Sequence, residues 1–221
     1  RNVMKKILLP LLLILAVGML AAVESEPSAI VGYVKYDCVT GLNFIALPMD
    51  QGYTTSSQFG MEYSGMIDAI NYWDSSSQTW IASIYYPAPD DVWDPEFPIT
   101  TGSVIMINAL SPFSSYSIGS MPTQNASYNL IPGLNTIMVP LNKADLNSSS
   151  LVGIDVGILD AINYWDAVSQ TWVGAVYYPA PDDVWDPEFA TPIGFPLMVN
   201  SLGTSTWPTG PRKSLIEVNS K

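Results

Sequence analysis

"AINYWDSSSQTW" stands at Ala69–Trp80 and "AINYWDAVSQTW" at Ala161–Trp172. In each, two runs rich in aromatic and β-branched residues flank a short Asp/Ser turn, which is the pattern of a β-hairpin. Written twice at an offset of 92 residues, the pattern marks a tandem duplication. The offset reads without a gap from Gly41/Gly133 through Asn43/Asn135, Pro48/Pro140, Trp73/Trp165, Phe97/Phe189 and Gly102/Gly194 to Asn108/Asn200. Solenoid repeats run to roughly 20–50 residues, so each copy here is a small domain or half of a pseudo-symmetric one. A β-propeller of Trp-Asp blades needs four or more copies at a period near 50 and is excluded on the same ground.

The copies serve as an internal substitution experiment, because positions that stay apolar on alternate residues face the core of a strand. In "LNFIALPM" and "LNTIMVPL", Ile45, Leu47 and Met49 are matched by Ile137, Val139 and Leu141, while Phe44 is matched by Thr136. The first series is expected to point inward. Further on, Trp80, Ala82, Ile84 and Tyr86 stay apolar as Trp172, Gly174, Val176 and Tyr178, which places Trp80 and Trp172 in the cores. Pro196 in "FPLMVN" predicts a strand that lies at an edge or starts late. "IVGYVKYDCV" predicts an extra strand before the first copy, and helical periodicity is weak throughout, with one turn at most in "TTSSQFG".

With 18 Pro, 15 Gly, 7 Trp, 12 Tyr and 6 Phe but only 13% charged residues, the composition is that of a turn-rich β protein. The expected fold is all-β: two tandem copies of a small antiparallel β-sandwich or barrel-like domain after an N-terminal signal peptide. Met4-Lys5-Lys6 followed by an apolar run from Ile7 to Val23 reads as that signal, with Met4 as the true start. The run is short for a spanning helix and contains Pro10 and Gly18, so cleavage is expected over anchoring, with no stable membrane span in the mature chain. The expected divisions are 1–25 signal, 26–122 repeat 1, 123–211 repeat 2 and 212–221 tail.

Loss of Arg1, Lys5 and Lys6 alone would move the net charge from -12 to -15, a surface that repels phosphate backbones and excludes nucleic acid as a partner. The single Cys38 cannot form an internal disulfide, and the absence of His removes the commonest general base and zinc ligand. Any metal chemistry would therefore be oxygen-based.

The stretch "YYPAPDDVWDPEF" is identical at Tyr85–Phe97 and Tyr177–Phe189. Its prolines make it stiff. Asp90, Asp91, Asp94 and Glu96, repeated as Asp182, Asp183, Asp186 and Glu188, offer carboxylate oxygens of the kind calcium takes, although the spacing matches no EF-hand loop. Tyr85, Tyr86 and Trp93, with Tyr177, Tyr178 and Trp185, are the candidate ligand or assembly surface and could form an aromatic platform for sugar rings. The alternative is that Trp93 caps the core while the tyrosines pack in the sheet. Acids this close together, duplicated whole, do not form the cleft-spanning pair of a glycosidase, and no nucleophile and base can be assembled. No catalytic residue is assigned, and no cofactor apart from the calcium reading.

From 66 to 97 the copies agree at 24 of 32 positions, against 8 of 25 from 41 to 65. A shared binding or assembly surface would produce this unevenness, and so would recent copying of DNA between the repeats.

The order Gly-x-Asn-x-Ile-x-x-Pro, then Trp-Asp with a second Trp, then Phe-x-x-x-x-Gly before an apolar strand ending in Asn, resembles the "GWNLISLPL" type β repeat of secreted and surface-attached bacterial proteins. The likeness covers Gly41–Asn108 and Gly133–Asn200, with a looser Tyr116-x-x-Gly119 and Trp207-x-x-Gly210 closing each copy; Leu42 and Leu134 replace the usual Trp. The resemblance implies an extracellular, modular protein of structural or adhesive type, with no established catalytic residues. The expectation is a secreted, non-enzymatic cell-surface or extracellular-matrix protein that self-assembles into a filament or layer or acts as an adhesin. Its partners would be itself, other envelope proteins or polysaccharide. A tandem carbohydrate-binding module is the alternative, gaining avidity from two weak sites.

Overall fold

The computed structural model describes residues 31–122 and 126–208, so the expected signal segment and the tail lie outside the described residues. The first copy runs β1 (Val31–Cys38), β2 (Gly41–Ala46), α1 (Ser56–Glu62), β3 (Ile67–Asp74), β4 (Thr79–Tyr86), β5 (Val92–Asp94), β6 (Val104–Ala109) and β7 (Phe113–Ser120). The second repeats this order as β8 (Tyr128–Leu130), β9 (Gly133–Met138), α2 (Ser149–Val156), β10 (Leu159–Asp166), β11 (Thr171–Tyr178), β12 (Val184–Asp186), β13 (Pro196–Ser201) and β14 (Ser205–Trp207). Two antiparallel five-stranded sheets result, ordered β2-β6-β3-β4-β5 and β9-β13-β10-β11-β12, each accompanied by a two-stranded ribbon, β1-β7 or β8-β14. The fold is all-β, built from two similar units.

The hairpin that opens the reading forms for a local reason. Asp74 accepts the Ser76 N–H at 3.0 Å and the Ser77 hydroxyl at 2.7 Å, and Gln78 takes a positive φ of 54° to complete the turn. Asp166, Val168, Ser169 and Gln170 repeat the arrangement. These bonds hold the carboxyls of Asp74 and Asp166 below the usual range, as expected where hydrogen bonds favour the charged form. The turn before β2 depends on the Gly-x-Asn motif. Gly41 and Gly133 sit at φ 99° and 100°, and buried Asn43 and Asn135 donate to the carbonyls of Val39 and Gly41, or Ile131 and Gly133, at 2.7–2.8 Å.

Each copy has its own core. Ile45, Ile70, Ile105 and Ile107 of the first sheet bury against Phe59 of α1, Trp93, Phe97 and Cys38 of the ribbon. Ile137, Ile162, Leu197 and Val199 bury against Val152 of α2, Trp185 and Trp207.

Three expectations need correction and one open alternative is decided. Trp80 and Trp172 are not in the cores: they are 37% and 38% exposed, while Ser83 and Ala175 of the opposite alternation are fully buried. The helix explains this. Its N-terminal Ser56 is itself buried and seats on Ser83, 3.5 Å away, where a large side chain would not fit. Phe44 is buried as well as Ile45, because the other face of the sheet is also covered. β13 is an interior strand, so Pro196 marks its late start and not an edge. Lastly, two helices form, and they align at an offset of 93, Ser56 with Ser149 and Gly60 with Gly153, so the ungapped register slips by one over this stretch. Gly is required at both helical positions because an added Cβ would lie 2.3 Å from the ring of Trp93 or Trp185.

The other repeat covers part of the second face of each sheet. Phe44, Ala46, Val104 and Met106 bury with Met138, against half-buried Trp165 and Tyr128. Among the described residues, eight side-chain hydrogen bonds cross this seam in four reciprocal pairs. Trp73 Nε1 donates to Leu134 O and Trp165 Nε1 to Leu42 O, both at 2.8 Å. The Gln78 amide accepts from Leu134 N and donates to Leu134 O, and Gln170 does the same to Leu42, at 2.8–2.9 Å. Tyr36 and Tyr128 hydroxyls donate to Gly194 O and Gly102 O. β2 and β9 are edge strands, and each Gln amide occupies a free backbone N–H and C=O there, capping an edge that would otherwise be open.

Candidate functional site

The repeated stretch Tyr85–Phe97 is a strap that leaves β4, forms the short edge strand β5 and returns to the helix N-terminus. Most of its side chains hold the strap down. Phe97 N–H bonds Ser56 Oγ at 3.1 Å, and Ser56 N–H bonds Phe97 O at 2.9 Å; Ser149 and Phe189 do likewise. Glu96 accepts from the Ser57 hydroxyl and Glu188 from Ser150. Tyr85 donates to Asp91, and Tyr177 to Asp183, fixing two Asp residues at φ 49° and 50°. The left-handed region tolerates Asp better than most residues, which suits that position.

Trp93 and Trp185 are buried to 5% and 7% exposure, packed beneath the helix at Gly60 and Gly153 and against the rings of Tyr85 and Tyr177 at 5.5 Å. Both are core caps, so the aromatic platform for sugars lacks its central ring. The carboxylates of the calcium reading are held separately. Asp91 and Asp183 are taken by tyrosine hydroxyls and Glu96 and Glu188 by hydroxyls at the helix start, while Asp90, Asp94, Asp182 and Asp186 are exposed. Among the described residues no three Asp, Glu or Cys side chains gather into a set that could hold a metal ion.

The hydrogen bonds from Ser57 and Thr55 hold the Glu96 carboxyl below its usual range, and those from Ser150 and Ser148 do the same for Glu188. A carboxyl depressed in the folded state contributes stability above its unfolded pKa, near 4.3, and loses it as pH falls through the folded value. Glu96→Gln/Glu188→Gln is therefore expected to melt below wild type at pH 7. The gap should close as pH drops toward about 3. Paired thermal melts across pH check this, and a gap independent of pH would remove the ionic contribution.

What the strap leaves exposed is apolar. Tyr86 and Val92 face each other across β4 and β5, and Ile84 stands two residues back on the same face. Their exposures are 46%, 45% and 44%, against 48%, 46% and 44% for Tyr178, Val184 and Val176. The two copies thus present the same outward face, directed away from their own cores. Tyr86 and Tyr178 were legible as surface candidates, whereas Val92, Val184, Ile84 and Val176 were missed. The signal for them is strand alternation: with Trp93 buried, its neighbours must point out.

A cleft of about 480 Å³ lies at the seam, lined by Tyr36, Phe44, Trp165, Ile193 and Phe195, with an equivalent of about 160 Å³ beside Tyr128, Thr136 and Trp73. Cys38 at its edge is buried, which pushes the thiol up to about 11 and keeps it protonated. No helix among the described residues is long and apolar enough to cross a membrane. Comparisons with family models, with curated proteins and with solved structures return no match for this chain.

Proposed function

We propose that this is a secreted, non-enzymatic structural protein of the cell surface or extracellular matrix that assembles with copies of itself. One observation carries the reading: two exposed apolar faces, Ile84-Tyr86-Val92 and Val176-Tyr178-Val184, are matched in residue type and exposure. The strap's buried residues have packing reasons to be alike, but Tyr86 and Val92 have none within the monomer. Exposed apolar patches of this sort mark association surfaces. Two equal faces make the molecule bivalent, and bivalent units joined face to face grow into chains. The apolar segment at Ile7–Val23 and the resemblance to surface β repeats support the location.

Light scattering across concentration tests this. The mature chain is expected to grow in mass, Tyr86→Ser to stop at dimers because one face remains, and Tyr86→Ser/Tyr178→Ser to stay monomeric. Calcium or chelator should leave all three unchanged. Equal growth of the double variant would remove the faces from the mechanism, and a monomeric wild type would end the self-assembly reading.

A further inference from the structure

We infer that the seam is a keyed surface which fits repeat 2 of a second copy of this chain as well as its own, and refuses a second repeat 1. This rests on the seam alone and stands whether or not the outward faces associate.

Three observations lead there. The cross-seam bonds are reciprocal, Trp73 to Leu134 as Trp165 to Leu42, Gln78 to Leu134 as Gln170 to Leu42, which is the geometry of a two-fold dimer. Each repeat carries a separate core drawn only from its own residues, so opening the seam leaves both cores intact. Exchange of like elements between chains is then a low-cost route to association.

The key is Phe44. Its ring centroid lies 6.3 Å from that of Trp80 and 5.3 Å from that of Trp172. Those tryptophans are equivalents, so a residue touching both sits near the pseudo-two-fold axis. Its own equivalent is Thr136, which therefore lies near the axis too. One Phe and one Thr fill the space there. Two repeats 1 would bring two Phe together and overfill it, while two repeats 2 would bring two Thr and leave a void; both are destabilising. Pairing across chains is accordingly restricted to repeat 1 with repeat 2. Within one chain the short connection supplies a high effective concentration, so the closed monomer prevails when dilute.

The key permits a direct test with full-length chains, in a Tyr86→Ser/Tyr178→Ser background that silences the outward faces. Phe44→Thr has Thr on both sides of its own seam, and Thr136→Phe has Phe on both sides. Mixed, each chain offers what the other lacks, and a reciprocal pair restores Phe against Thr in both seams. Native mass spectrometry is expected to show a species with one chain of each variant, favoured over either homodimer by about tenfold or more. A chain carrying Phe44→Thr and Thr136→Phe together should stay monomeric and melt near wild type, which confirms that each substitution suits a folded repeat. A mixture that remains monomeric would overturn exchange. Homodimers as abundant as the mixed species, or a combined variant less stable than both single ones, would overturn the key.

Discussion

Trp93→Ala combined with Trp185→Ala is expected to leave no cooperatively folded chain at 25 °C. Each ring is buried and lies against a helical glycine so closely that a Cβ there would be 2.3 Å away. The ring therefore occupies the whole space between helix and sheet. The backbone on both sides belongs to regular elements that cannot collapse into the gap. Removing a buried Trp in such a setting costs about 3–5 kcal/mol. Taken twice, that rivals the roughly 5–15 kcal/mol that holds a typical domain together. Urea denaturation followed by circular dichroism checks each single variant and the pair. Tyr86→Ala is the control: exposed and unbonded, it should shift stability by less than about 0.5 kcal/mol. A double Trp variant that melts like wild type would mean the rings are not structural, and the sugar-platform reading would regain its central residue.

Of the two readings of Trp93, core cap and sugar platform, burial supports the first. The duplication, the hairpin at Ala69–Trp80 and the extra strand β1 were legible, because aromatic and β-branched runs broken by Asp and Ser carry a local signal. Which face of a strand meets the core was not. β4 alternates Trp80, Ala82, Ile84 and Tyr86 against Ile81, Ser83 and Tyr85, and the more apolar series looks like the inward one. The small residue is inward because buried Ser56 at the helix start needs room, a constraint set by residues about 27 positions away. The first helix was read only as one turn in "TTSSQFG" and the second was missed, because they are 7 and 8 residues long and depart by one from the offset of the flanking strands. Their glycines, Gly60 and Gly153, are the beds of two Trp rings. Gln78 and Gly41 look like ordinary turn residues. Only the fold shows that an added Cβ at Gly41 would lie 2.8 Å from the Gln170 amide of the other repeat.

Breaking the seam without touching the cores should separate the repeats while both remain folded. Trp73→Phe and Trp165→Phe keep one aromatic ring each but delete two indole donors, and Gln78→Ala with Gln170→Ala deletes four hydrogen bonds of the side-chain amides. At about 0.5–1.5 kcal/mol net for each bond, the six together are worth roughly 3–9 kcal/mol, discounted toward the lower end because the Gln bonds are exposed. Against this the seam retains the Tyr36 and Tyr128 hydroxyl bonds to Gly194 O and Gly102 O and one small apolar cluster, centred on Phe44, Met106 and Met138. The edges of β2 and β9 also lose their caps, and water takes those groups more readily in an open chain. The expected result is a larger radius of gyration in solution scattering, an unchanged β signal in circular dichroism, and a melt that resolves into two transitions. An unchanged radius would mean that the apolar cluster and the two tyrosine bonds suffice to hold the repeats together. Collapse of the β signal would mean that neither repeat is stable without the other, which would place the seam on a par with the two cores.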